Sequence, residues 1–203
     1  MYIPELYKNE NREEIEHFIH QNGFAILINQ TQGKLWATHT PLLLETDANG
    51  KLILTGHISK ANPQALSFND NEEVLAVFSG AHAYISSSWY DHENVPTWNY
   101  LAVHVYGKVR IYNHEEGLLF LKKLVDKYEA KSENPVRVEN LSEKTMREAR
   151  GIVAFEIEIT SIEAQKKLSQ NRKNKNSKTI IQELKKTKEN QAIDLAEAMK
   201  NNR

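Results

Sequence analysis

Hydrophobic positions along this chain switch between two spacings, and the switches mark its elements. Asn11 with Glu14 forms a capping-box pattern, and Ile15, Phe18 and Ile19 follow at helical spacing until Gly23 ends the run. Two apolar stretches, 24–29 and 34–45, then flank the turn-prone residues 30–33. A turn at Asp47, Ala48, Asn49 and Gly50 leads into a further strand over 51–57. Asn62-Pro63 reads as an N-cap with proline at the first helical position, opening a short helix to about Phe68. Residues 73–79, containing VLAVF, read as a buried strand.

The longest alternation covers 98–111. Leu101, Val103, Val105, Val109 and Ile111 fall on one face, and Trp98, Tyr100, His104, Tyr106, Lys108 and Arg110 on the other. Asn113 with Glu116 is a second capping box, opening a helix to about Tyr128 on a stripe of Leu118, Leu121, Leu124 and Val125. Ser142 caps a short helix ending before Gly151, and 152–160 alternates as a strand. The spacing predicts helices over 161–170 and 178–200, around a polar run at 171–177. At least six strands with short helices between them imply an α+β fold, a mainly antiparallel sheet or barrel with peripheral helices.

One stretch departs from ordinary core chemistry. Residues 79–100 hold Trp89 and Trp98, Tyr84, Tyr90 and Tyr100, His82 and His92, with Ser86, Ser87 and Ser88 among the rings. That mixture suits either a surface for a flat polar ligand or an irregular loop packed by its own aromatics.

Composition narrows the chemistry. The absence of Cys removes disulfides, thiolate metal sites and a thiol nucleophile. No apolar run reaches the ~18 residues of a membrane span, and the N-terminus lacks the basic-then-apolar pattern of a secretory leader, so a cytoplasmic protein is expected. The formal net charge of −1 hides an asymmetry, because residues 165–203 carry 11 Lys or Arg against 4 Asp or Glu. We therefore expect a body over 1–164 and a basic helical extension over 165–203. The extension offers phosphate contacts to DNA, or a solvated charged face. If it is an appendage, deleting 173–203 removes DNA affinity and leaves the body folded.

Three clusters bear on function. His57, Ser59, Lys60 and Asn62 gather a cation, a hydroxyl, an imidazole and a helix start, which fits either a phosphate or a capped helix beside a solvated lysine. The eight His residues form no HExxH pair, so no metal site is assigned. No GxSxG elbow occurs, and no catalytic side chain is assigned.

Taken together, MYIP at 1–4, ATHTPLLLE at 37–45, GHISKANPQ at 56–64, SWY at 88–90, VPTWNY at 95–100, AVHVYG at 102–107 and IEAQKKLSQNR at 162–172 resemble the PaiB family of FMN-binding negative transcriptional regulators. The resemblance implies a split β-barrel that pairs as a homodimer, with flavin in a groove at the subunit interface and a link to repression of sporulation and degradative-enzyme genes. It also implies roles for residues. Lys60 and the Asn62 helix start would take the FMN phosphate with Ser59 and His57 assisting, Thr38 and Thr40 would face the ring, and Trp89, Tyr90, Trp98 and Tyr100 would wall it. Where the family pattern is SPSWY, this chain has Ser86-Ser87-Ser88-Trp89-Tyr90. A flavin-dependent oxidoreductase acting on a small substrate, and a cofactor-free dimeric interaction protein, are the alternative functions.

Overall fold

The computed structural model describes residues 1–68 and 73–202. Its elements are α1 (Arg12–Gln21), β1 (Phe24–Thr31), β2 (Lys34–Pro41), β3 (Leu43–Thr46), β4 (Leu52–Ser59), β5 (Glu73–Ile85), β6 (Thr97–Ile111), α2 (His114–Glu129), α3 (Glu143–Met146), β7 (Ile152–Lys167), α4 (Asn174–Lys186) and α5 (Asn190–Asn201). Short 3-10 turns stand at Pro63–Ser67, Ser87–Trp89 and Arg147–Gly151, among others. The strands form one sheet in the order β2-β1-β5-β6-β7-β4-β3. It is α+β and mainly antiparallel, with β1 against β2 and β5, and β4 against β3 and β7.

Two compact units share the long strands. One comprises Met1–Phe18, Phe78–His104 and Glu163–Arg203; the other comprises Ile19–Val77 and Val105–Ile162.

In the second unit the sheet folds over Leu27, Leu54, Phe155 and Ile157, all fully buried, with Phe68 edge-on to Phe155 at 5.1 Å. The apolar run 34–45 breaks at Leu42, which is buried and separates β2 from β3. Two glycines make this packing feasible. A Cβ on Gly56 would strike Leu42, and one on Gly107 would collide with the Glu158 carbonyl and Ile157. The helix α2 begins as its capping box requires: Glu116 N–H donates to Asn113 Oδ1, and Asn113 N–H to the Glu116 carboxylate. Its Phe120 and Leu124 bury against Leu43 and Ala154.

In the first unit one expectation is corrected. Residues 161–167 are not helical, because β7 runs on to Lys167. The extended form wins through a partner far away in sequence. Lys8 bridges Gln165, and Asn9 N–H donates to the Ala164 carbonyl, so local preference yields to long-range pairing. The polar run 171–177 likewise contributes the first turn of α4.

The helices α4 and α5 also carry more than charge. Ile180, Leu184, Leu195 and Met199 form a core with Ala83, Ile85, Tyr90 and Leu168. Lys188, at φ 62°, reverses the chain between the two helices. This core changes the expected result of truncation, since removing 173–203 strips one wall from Ile85 and Tyr90. Leu195→Ala is predicted to cost about 2–5 kcal/mol in a urea unfolding experiment, the usual range for a buried leucine. Deletion of 173–203 should abolish the cooperative transition of this unit.

Candidate functional site

The turn after β4 is held by a buried polar network in the second unit. Gln64, fully buried, donates from Nε2 to the Leu27 carbonyl at 3.0 Å and accepts from Thr38 Oγ1 at 2.5 Å. Asn62 Oδ1 accepts from Gln64 N–H at 3.0 Å, and Asn62 Nδ2 donates to Thr38 Oγ1 at 2.8 Å. Thr40 Oγ1 donates to the His57 carbonyl at 2.7 Å, and Ser59 Oγ accepts from Ala61 N–H at 3.3 Å. The helix start foreseen at Asn62 is therefore a capped 3-10 turn over Pro63–Ser67. Thr38, Thr40, Ser59 and Asn62 are brought together, and each already makes a bond within the chain.

Lys60 stands apart. It is exposed and forms no ion pair among the described residues, while its backbone N–H donates to the Gly151 carbonyl at 2.8 Å. It lips a cleft of about 180 Å³ floored by Leu121, Ile152 and Ala154, with Tyr112, Asn113 and His114 on the α2 side. A cation over an apolar floor fits the phosphate end of a flavin. The volume is below the ~300 Å³ at which pockets enclose whole drug-sized ligands, so this cleft holds only part of one.

His57 does not reach solvent freely. Its ring lies 5.8 Å from Phe120, its Nδ1 is buried with no hydrogen-bond partner among the described residues, and burial lowers its pKa from the ordinary 6.5. The neighbouring Tyr112 hydroxyl donates to Glu156 at 3.2 Å, and burial together with that carboxylate raises its pKa. Arg110 completes the set, bonded to Glu156 at 2.7 Å and Glu116 at 2.9 Å, and both bonds hold it firmly protonated. Through Glu116 and Glu156, Arg110 ties the start of α2 to β7, and Tyr112 joins it at Glu156.

The aromatic residues of 79–100 lie in the first unit. Tyr90 is buried in the α4/α5 core with the Arg172 guanidinium 5.2 Å above its ring, and Trp89 packs against the same core. Trp98 is 54% exposed and contacts His82 and Tyr84, with ring centroids 6.2 and 6.1 Å away; Tyr100 is half-buried. Ser86 Oγ accepts from Ser88 N–H at 3.2 Å, so serines shape the 3-10 turn before Trp89 and Tyr90. Asp91, beside this turn, is held well below the usual carboxylate range by His92 and Asn176, with Lys175 assisting.

The fold is that of the flavin-binding split barrels, here with a sheet that is not closed. The chain is similar to the "FAD and Heme binding protein from Mycobacterium smegmatis" (TM-score 0.61, 14% identity, 79% of this chain and 73% of that one). It is likewise similar to the "Flavocytochrome Anf3 from Azotobacter vinelandii" (TM-score 0.62, 15% identity, 79% and 69%). The profile of the family described as "Putative FMN-binding domain" matches residues 1–161, and the chain belongs to that family. It is 43% identical over 200 residues to "Protease synthase and sporulation protein PAI 2" of Bacillus subtilis, covering 98% of this chain and 96% of that protein. No helix among the described residues is long and apolar enough to cross a membrane, and no group of three or more His, Asp or Glu is placed to hold a metal.

The buried imidazole generates a pH prediction. Because the folded pKa of His57 lies below 6.5, the unfolded chain takes up a proton as pH falls through that value and the folded chain does not. Stability therefore declines from about pH 6.5 downward until the lower folded-state pKa is passed. His104, also lowered mainly by burial, has the same sign. In urea unfolding, His57→Asn should show a smaller loss of stability between about pH 7.5 and 5.5 than the parent; an unchanged loss would exclude the assignment.

Proposed function

We propose that this chain is a homodimeric, cytoplasmic FMN-binding regulator whose effect on transcription is indirect. The observation that carries the cofactor reading is Lys60, an exposed cation with no ion pair among the described residues, at the lip of a cleft with an apolar floor and polar groups from Tyr112, Asn113 and His114. Lys60 would hold the FMN phosphate, and the buried network behind it fixes the backbone from Ser59 to Asn62. Thr38 and Thr40 stiffen that backbone through their hydroxyls. Ser59 and His57 would assist from the end of β4, while the polar side chains that line the cleft with Lys60 are Tyr112, Asn113 and His114. Trp98, with Tyr100 and Trp89, supplies aromatic surface to a ring shared between subunits, and Tyr90 supports them from the core. When bound, FMN supplies one- and two-electron transfer, and the chain's own groups bind and orient it.

The sporulation role named for the Bacillus subtilis relative suggests regulation, and charge placement favours an indirect route. Lys166 pairs with Glu14, Lys175 with Asp91, Lys185 with Glu197 and Lys186 with Glu183, so four of the extension's cations already hold a carboxylate. The α5 helix presents Asn190, Gln191, Asp194, Lys200 and Asn201 to solvent, one cation beside one carboxylate, a poor surface for DNA phosphates. Residual contact through Lys173 or Lys178 would be weak and salt-sensitive.

Lys60→Ala is expected to weaken FMN binding by about 1.5–3 kcal/mol, roughly ten- to a hundredfold, as loss of a hydrogen bond to a charged group does. Quenching of flavin fluorescence during titration measures it. An unchanged dissociation constant would remove Lys60 from the site.

A further inference from the structure

A second concavity lies beside the Lys60 cleft in the same unit and shares His114 and Leu118 with it. It is a depression of about 400 Å³ open to solvent, lined by His114, Leu118, Glu143, Met146, Arg147 and Arg150, with both arginines exposed. Its two arginines stand on the 3-10 turn Arg147–Gly151. Three residues per turn place positions i and i+3 one above the other, so both guanidiniums project from one face.

In the same unit Arg110, Arg137, Lys51, Lys122 and Lys123 each meet a carboxylate within 3.4 Å. Arg147 and Arg150 meet none among the described residues, although Glu143 lines the same concavity. Lys60, Lys108, Lys131 and Lys144 of this unit also lack an ion pair among the described residues, but none of them lines this concavity, where two unpaired guanidiniums stand together. Two guanidinium forks and an imidazole outweigh that one carboxylate, and Leu118 and Met146 give the floor an apolar surface.

We propose that this concavity binds a small phosphomonoester with an apolar body, separately from flavin. Arg147 and Arg150 take the phosphate through their planar forks, His114 adds a third donor, and the body lies on Leu118 and Met146. Glu143 at the rim disfavours ligands with a second anionic group on that side. The site adjoins the flavin reading without resting on it, since neither arginine lines the Lys60 cleft.

Phenyl phosphate is the probe, and the methionine methyls are the reporters. The chain has three Met, of which Met146 lines the concavity and Met199 is buried in the α4/α5 core. In methyl-labelled full-length protein, phenyl phosphate should shift Met146 saturably and leave Met199 in place, and inorganic phosphate should act more weakly for want of an apolar body. R147Q/R150Q should weaken phenyl phosphate at least about tenfold, R147K/R150K should recover part of it, and neither should change the melting temperature or FMN affinity. An unmoved Met146, or an equal response in R147Q/R150Q, overturns the site. So does a matching loss of FMN affinity in R147Q/R150Q, which would make the concavity part of the flavin site. Failure of Lys60→Ala to affect FMN leaves this result standing.

Discussion

A carboxamide sealed from water must satisfy both of its ends, and Gln64 does so by joining three segments. It reaches the Leu27 carbonyl of β1, the Thr38 hydroxyl of β2 and, through its own backbone, the Asn62 side chain. An unsatisfied buried amide costs about 1–3 kcal/mol in proteins. The network is therefore cheap only in one arrangement, and that arrangement fixes the turn bearing Ser59 and Lys60. The backbone bond from Lys60 to Gly151 extends the constraint to the 3-10 turn with Arg147 and Arg150. Loop cations usually wander, but here their bases are anchored.

Elements specified by neighbours in sequence were legible. The Asn113–Glu116 box, the Asn62 cap and the alternation of β6 each depend on residues within a few positions of one another. Residues 161–167 were misread because their partners are Lys8 and Asn9, which periodicity cannot detect. Within 79–100, Ser79–Ile85 belongs to β5, and the aromatics divide between core, as Tyr90, and surface, as Trp98. Burial on the far side of a sheet is decided by helices arriving some ninety residues later, so ring identity alone could not sort them. The Lys60 cluster was visible as residue types. That its hydroxyls and amide are bonded inward was not, because Gln64 lies 26 residues from Thr38 and 37 from Leu27.

Charge and hydrophobicity gave different pictures of the C-terminal segment. Its net positive charge suggests a solvated arm, yet its apolar stripes at Ile180, Leu184, Leu195 and Met199 bury completely or nearly so. Burial of such side chains contributes about 1.5–3 kcal/mol each, whereas an exposed ion pair contributes about 1 or less. The stripes therefore decide where the helices lie, and the lysines settle onto whatever carboxylates are then within reach.

The unit containing that core is assembled from three separated stretches of chain, and this bears on its synthesis. Ala83, Ile85 and Tyr90 leave the ribosome long before Leu195 and Met199, which complete their packing. At about 5–20 residues per second, the apolar face of β5 waits several seconds for its cover. Contacts spanning a hundred residues close slowly once available. The nascent chain thus passes through an interval in which an exposed apolar strand is open to chaperones and to its neighbours on a polysome, and that interval ends only when the last helix arrives.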